Sequence, residues 1–133
     1  MTTQIATTQE QSARLLKCGV PSESADMSID TDTDKLYLSA YSERVDKVHE
    51  VPAWSLSNLF GLLPFKIHSG KYGYWLDIAP MYYNKQWSIG YYCMENPKVI
   101  KGFTCTDSLI ECAVQEIEWL TANGYKLKGG TDA

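Results

Sequence analysis

A chain of 133 residues that is 44% hydrophobic and 21% charged is the size and make-up of one globular domain, able to bury roughly two thirds of its unfolded surface without disulfides or a structural metal. Sixteen acidic residues against twelve basic ones leave a formal charge of -4, which withholds the broad positive field that draws proteins to phosphate backbones, so nucleic acid is not the expected partner. The first residues carry neither a basic n-region nor an apolar run, so no secretory leader or membrane anchor is expected and the cytoplasm is the default location.

In chain order, Thr7-Thr8-Gln9-Glu10 fits a capping box in which the Thr7 hydroxyl and Glu10 carboxylate satisfy free backbone donors at a helix start. Ala13, Leu16 and Leu15 supply its apolar stripe, and Gly19 with Pro21 ends it near Cys18. From Ala25 the period becomes two. Ala25, Met27 and Ile29 alternate with Asp26 and Ser28, and a second alternating run starts at Lys35, which predicts a hairpin with Asp30-Thr31-Asp32-Thr33-Asp34 as its polar tip. In that second run Leu36, Leu38 and Ala40 share one face and Tyr37, Ser39 and Tyr41 the other. Ser42 to Glu50 is charged and aperiodic, a loop.

The stretch Val51 to Pro64 holds Leu56, Leu59, Phe60 and Leu63 at i, i+3, i+4 and i+7, one face of a short helix that Ser55 caps and Pro64 stops. Beyond it a short strand is expected at Phe65 to Ile67 and a turn at Ser69-Gly70-Lys71. Tyr74, Leu76 and Ile78 then alternate with Trp75 and Asp77; Pro80 to Lys85 turns the chain; and Trp87, Ile89, Tyr91 and Cys93 alternate with Ser88, Gly90 and Tyr92, a second hairpin. Val99 to Thr104 makes one more strand. Ser108 and Glu111 form a capping box for the last helix, with Thr106 or Asp107 as alternative caps, and Gly124 supplies its stop. Its core line is Leu109, Ala113, Ile117 and Leu120, with Glu111, Gln115 and Glu118 as the solvated face. The expected fold is α+β: an antiparallel sheet of about four to five strands with three helices mainly on one face, a single domain over 1–133 with frayed tails at 1–5 and 128–133.

Candidate chemistry is sparse. Asp30, Asp32 and Asp34 have the opening spacing of a Ca²⁺ loop, but Lys35 and Tyr41 stand where that loop needs Gly and a bidentate Glu, so a solvated hairpin tip is expected. His49 and His68 lack any zinc spacing, and no Gly-rich phosphate loop or nucleophile elbow occurs; neither metal nor cofactor is expected. Cys18, Cys93, Cys105 and Cys112 stand singly, read as reduced and mostly buried thiols. Cys105, just ahead of the last helix, is the thiol that a cysteine-dependent enzyme would use with His49 or His68. The strand patterns leave Tyr37, Tyr41, Trp75 and Tyr92 on the side of the sheet away from the helices. Tyr and Trp anchor protein interfaces and also stack single-stranded bases. An interface without catalysis, made with a protein partner or with a second copy of the chain, is the leading expectation. Single-stranded nucleic acid, with Lys35, Lys71 or Lys85 on its phosphates, is the alternative.

The segments Ile5-Ala6-Thr7-Thr8-Gln9-Glu10-Gln11-Ser12, Ala25-Asp26-Met27, Val51-Pro52-Ala53-Trp54-Ser55-Leu56 and Ile117-Glu118-Trp119-Leu120-Thr121-Ala122-Asn123-Gly124-Tyr125, taken together, resemble a group of small uncharacterised proteins of gut Bacteroidetes, often encoded in prophage-like or mobile-element regions. The resemblance implies a bacterial cytoplasmic setting and an accessory role, and carries no catalytic residues.

Overall fold

The structure, a computed structural model, describes residues 4–44, 48–81 and 84–128. The first helix, α1 (Gln9–Lys17), is opened by Thr8, whose hydroxyl accepts from the Gln11 N–H while the Gln11 side chain accepts from the Thr8 N–H. The reciprocal cap therefore sits one residue beyond the expected Thr7–Glu10 pair. Thr7 is unavailable because its buried hydroxyl pairs with Ser12 and accepts from the Trp54 N–H. Cys18 closes the helix, and Gly19 adopts φ +93°, the left-handed turn that glycine takes without a Cβ penalty.

The first hairpin forms, but it belongs to a small sheet of its own. Strands β1 (Met27–Asp30), β2 (Leu36–Tyr37) and β3 (Glu50–Ala53) pair antiparallel in the order β2-β1-β3. The second run stops at Tyr37 rather than continuing to Ala40, which leaves Leu38 73% exposed instead of facing a helix. Strand β3 lies where a loop and a helix approach were expected. Its Pro52 is opposite Ser28 on an edge strand, where a missing N–H is tolerated, and its Glu50 is buried beneath a two-pronged hydrogen bond from Arg44 at 2.8 and 2.8 Å. Those Arg44 bonds outweigh the burial that opposes them and hold the Glu50 carboxyl below its ordinary range.

Helix α2 (Leu56–Leu62) has the predicted start: the Ser55 hydroxyl accepts from the Asn58 N–H, and the helix ends at Leu63, ahead of Pro64. Strands β4 (Lys66–Ser69), β5 (Tyr72–Met81), β6 (Gln86–Cys93) and β7 (Ile100–Thr106) then form an antiparallel meander in the order β4-β5-β6-β7. The expected turn at Pro80 begins later, because β5 runs to Met81; residues 82 and 83 lie outside the described set. Helix α3 (Leu109–Ala122) is capped by Ser108, which accepts from the Glu111 N–H. The fold is α+β, with the strands shared between two antiparallel sheets rather than gathered in one.

One core joins α3, α2 and one face of the four-stranded sheet. Ile89, Tyr91, Leu59, Leu63, Ile117 and Leu120 are all fully buried. Leu127 is also buried, and the Lys128 N–H donates to the Leu62 carbonyl at 2.8 Å, so the tail is held through Lys128; residues 1–3 and 129–133, where the remaining fraying was expected, lie outside the described set. The helix face read as solvated is not free either. Arg14 of α1 reaches Glu111 at 2.9 and 2.9 Å and Glu118 at 2.6 and 3.1 Å, clamping α1 to α3. Burial pushes the Glu111 carboxyl up, but bonds from Arg14, Gln11 and Gln115 prevail and hold it low.

Opposite Gly90, strand β7 carries one extra residue: Ile89 pairs with Thr104 and Tyr91 with Lys101, so Gly102 and Phe103 share the space facing one residue. Gly102 has φ +64°, and a Cβ there would lie 2.6 Å from the Trp119 ring. Both the backbone and the contact demand glycine. Gly102→Ala should destabilise the domain by about 2–4 kcal/mol, whereas Gly61→Ala in α2, where an added Cβ meets nothing within 4 Å, should stabilise it by about 0.5–1 kcal/mol. Urea denaturation of the two variants checks the pair.

Candidate functional site

Register decides which rings meet. On β5 and β6, Trp75 is opposite Tyr92 and Asp77 opposite Gly90, and these residues point away from the buried Tyr74, Ile89 and Tyr91. The same side receives residues that the sequence pattern did not single out. A Cβ on Gly73 would meet Lys66 and Met94, and one on Gly90 would meet Ile100 and Phe103. Trp75 (49% exposed), Phe103 (47%), Met94 (41%) and Ile100 (39%) therefore crowd one open surface with the half-buried Tyr92. Helix α3 packs on this sheet through β6 and β7, by way of Thr104, Gly102 and the buried face. We call the other side the outer face.

Its electrostatics are mixed and shallow. Lys66 Nζ lies 5.6 Å from the Trp75 ring centroid, within cation–π range, and Asp77 is exposed beside it. Burial first, then the Asp77 carboxylate, push the Tyr92 phenol above its ordinary value, so it stays a neutral hydroxyl. Trp75, Leu76, Asp77, Tyr92 and Pro97 border a depression of about 440 Å³.

Tyr37 and Tyr41 do not join this face. Tyr37 is on β2 of the other sheet, with the Arg44 guanidinium 4.1 Å and Lys35 Nζ 5.2 Å from its ring. Tyr41 starts a single 3₁₀ turn (Tyr41–Glu43) and packs against the main core. The four residues were grouped by treating both hairpins as one sheet, and pairing between hairpins is a non-local matter that alternation alone does not specify.

The remaining candidates are also located. Cys105 lies on β7 with its thiol donating to Gln86 Oε1 at 3.1 Å. His68 is on β4, three strands away and hence about 14 Å across the sheet, and His49 lies beside the small sheet, 3.6 Å from Asp32. No thiol–imidazole pair is assembled from them. At the hairpin tip, Asp30 Oδ1 accepts from the Asp32 and Thr33 N–H groups, and these bonds hold its carboxyl low, while Asp34 accepts from Gln9. Those carboxylates are engaged in the turn, and among the described residues no group of three or more metal-ligating side chains gathers. No described helix is long and apolar enough to cross a membrane. Comparison with protein-family models, curated proteins and solved structures returned no match.

One buried group escaped sequence reasoning. Glu116 of α3 is 0% exposed and neither carboxylate oxygen has a hydrogen-bond partner among the described residues. Desolvation raises its pKa to about 8, offset slightly by the Thr104 hydroxyl, so it is a neutral acid at pH 7. Its position between Ile110, Ala113 and Ile117 on the buried side of α3 was the available signal, hidden by the flanking Gln115 and Glu118. The sign of the pH effect follows. Between the ordinary value of 4.5 and about 8 the native state keeps a proton that the unfolded chain has released, so the stability is fully present below pH 4.5 and is lost as pH rises to 8, on the order of 4 kcal/mol in all. Glu116→Gln, which mimics the neutral acid, should match the wild type in melting temperature at pH 5 and exceed it at pH 8; thermal melts of both across that range check this.

Proposed function

We propose that this protein is a small non-catalytic binding module that captures a protein partner on the outer face of its four-stranded sheet. The observation that carries the proposal is the clustering of Trp75, Tyr92, Met94, Ile100 and Phe103 on one uncovered surface. Soluble domains seldom leave so many large apolar groups contiguous without a use for them. Trp and Tyr are the residues that dominate binding energy once a partner excludes water around them, and Met adapts to an irregular surface. The Lys66 ammonium and Asp77 carboxylate at the margin supply the polar rim that such an interface needs.

Five side chains, each showing under half its surface, present on the order of 400 Å². Two copies face to face would each bring a formal charge of -4, which opposes self-association. A different protein is the better occupant. The resemblance to mobile-element proteins of gut Bacteroidetes supports a partner in the bacterial cytoplasm, belonging to the host or to the element itself.

Immobilised wild-type protein should retain a discrete partner from bacterial extract. The double variant Trp75→Ser, Phe103→Ser should lose it at least about tenfold, since exposed anchors carry the binding energy, while the Tyr37→Ser variant retains it. Equal retention by the double variant would contradict the assignment of this face.

A further inference from the structure

A second site lies away from the outer face, where the segment after β6 leans over the start of β5. Tyr72, Tyr74, Cys93, Glu95, Asn96 and Val99 enclose a cavity of about 270 Å³. Tyr74 is only 5% exposed, yet its side chain lines the cavity and its hydroxyl has no hydrogen-bond partner among the described residues. A hydroxyl that opens onto a cavity is satisfied by whatever enters it. Glu95, the one carboxylate of the lining, accepts from Cys93 Sγ at 3.4 Å and forms no ion pair among the described residues.

The lining determines the sign of the ligand. Two phenol rings and a carboxylate attract positive charge and repel an anion. The same rings already receive ammonium groups of this chain, Lys71 Nζ 5.4 Å from the Tyr72 centroid and Lys101 Nζ 5.7 Å from that of Tyr74; neither amine lines the cavity, and the Glu95 carboxylate has to hold a bound cation against their repulsion. Burial and then the surrounding Cys93, Tyr125, Glu95 and Tyr72 groups push the Tyr74 phenol above its ordinary value, so the hydroxyl offers a neutral dipole and lone pairs. We infer that this cavity is a binding site for a small ammonium ion, primary or methylated, held by the Glu95 carboxylate against the Tyr72 and Tyr74 rings. The site shares no residue with the outer-face cluster, so either can fail without the other.

An NMR titration of ¹⁵N-labelled protein with tetramethylammonium chloride tests it, at constant ionic strength and with neopentyl alcohol as the uncharged isostere. Saturable shifts should appear at the Gly73 amide and the amides of residues 94–96, 98 and 99, absent with neopentyl alcohol. Glu95→Gln, an exposed position whose substitution leaves the core intact, should weaken binding about two- to fivefold. The inference is overturned if the shifts fail to saturate, if the alcohol binds equally well, or if Glu95→Gln binds like the wild type.

Discussion

The fold turns on Trp54, where the two sheets and the N-terminal segment meet. The indole is fully buried and donates to Ser24 Oγ at 3.0 Å. Its backbone N–H donates to the Thr7 hydroxyl and its carbonyl accepts from the Thr7 N–H, each at 3.0 Å. One residue on, Ser55 is bridged to Ala6 and both donates to Asp26 and caps α2. A large apolar ring alone would settle in many orientations; the fixed donors around it select one. The small sheet, the start of α1 and the start of α2 are thereby set together, and α2 in turn is held against α3 and the four-stranded sheet.

In that arrangement α3 packs on the side of β6 and β7 that carries the buried Ile89 and Tyr91. The outer face is left open by the same packing, and the bulge at Gly102 decides what stands on it. Trp119 packs against Gly102, at the point where the strand takes an extra residue. Phe103 is then presented outward with Ile100, instead of alternating inward. A packing constraint on the buried side thus shapes the surface on the exposed side. Glu116 is buried within the same layer without a hydrogen-bond partner among the described residues, and that burial favours its neutral form.

Local signals carried much of the fold into the sequence. The cap at Ser108, the stop at Pro64 and the alternation of Tyr74, Leu76 and Ile78 each depend on residues within one turn or one strand, and each has its expected place in the structure. The illegible parts depend on distant partners. Glu111 and Glu118 read as solvent-facing because nothing nearby in the chain announces Arg14, which approaches from about a hundred residues away. Glu50 read as loop and Pro52 as part of the stretch around the short helix, because burial beneath Arg44 and an edge position in a sheet are both non-local facts. Of the candidate surface, Trp75 and Tyr92 were visible as the polar-side members of a hairpin. Tyr37 and Tyr41 were misplaced by the assumption of one sheet, and Ile100, Phe103 and Met94 depended on a bulge and a turn that alternation cannot register.

The central claim, that the outer face meets a partner protein, is most directly tested by placing a photoreactive benzophenone side chain at Phe103 and, separately, at the exposed Leu38 of the small sheet, then irradiating cells that express each protein. The account predicts a discrete adduct heavier than the 15.0 kDa chain from position 103 and none from position 38. The absence of any adduct at 103, or an adduct of two copies of the chain, would contradict it.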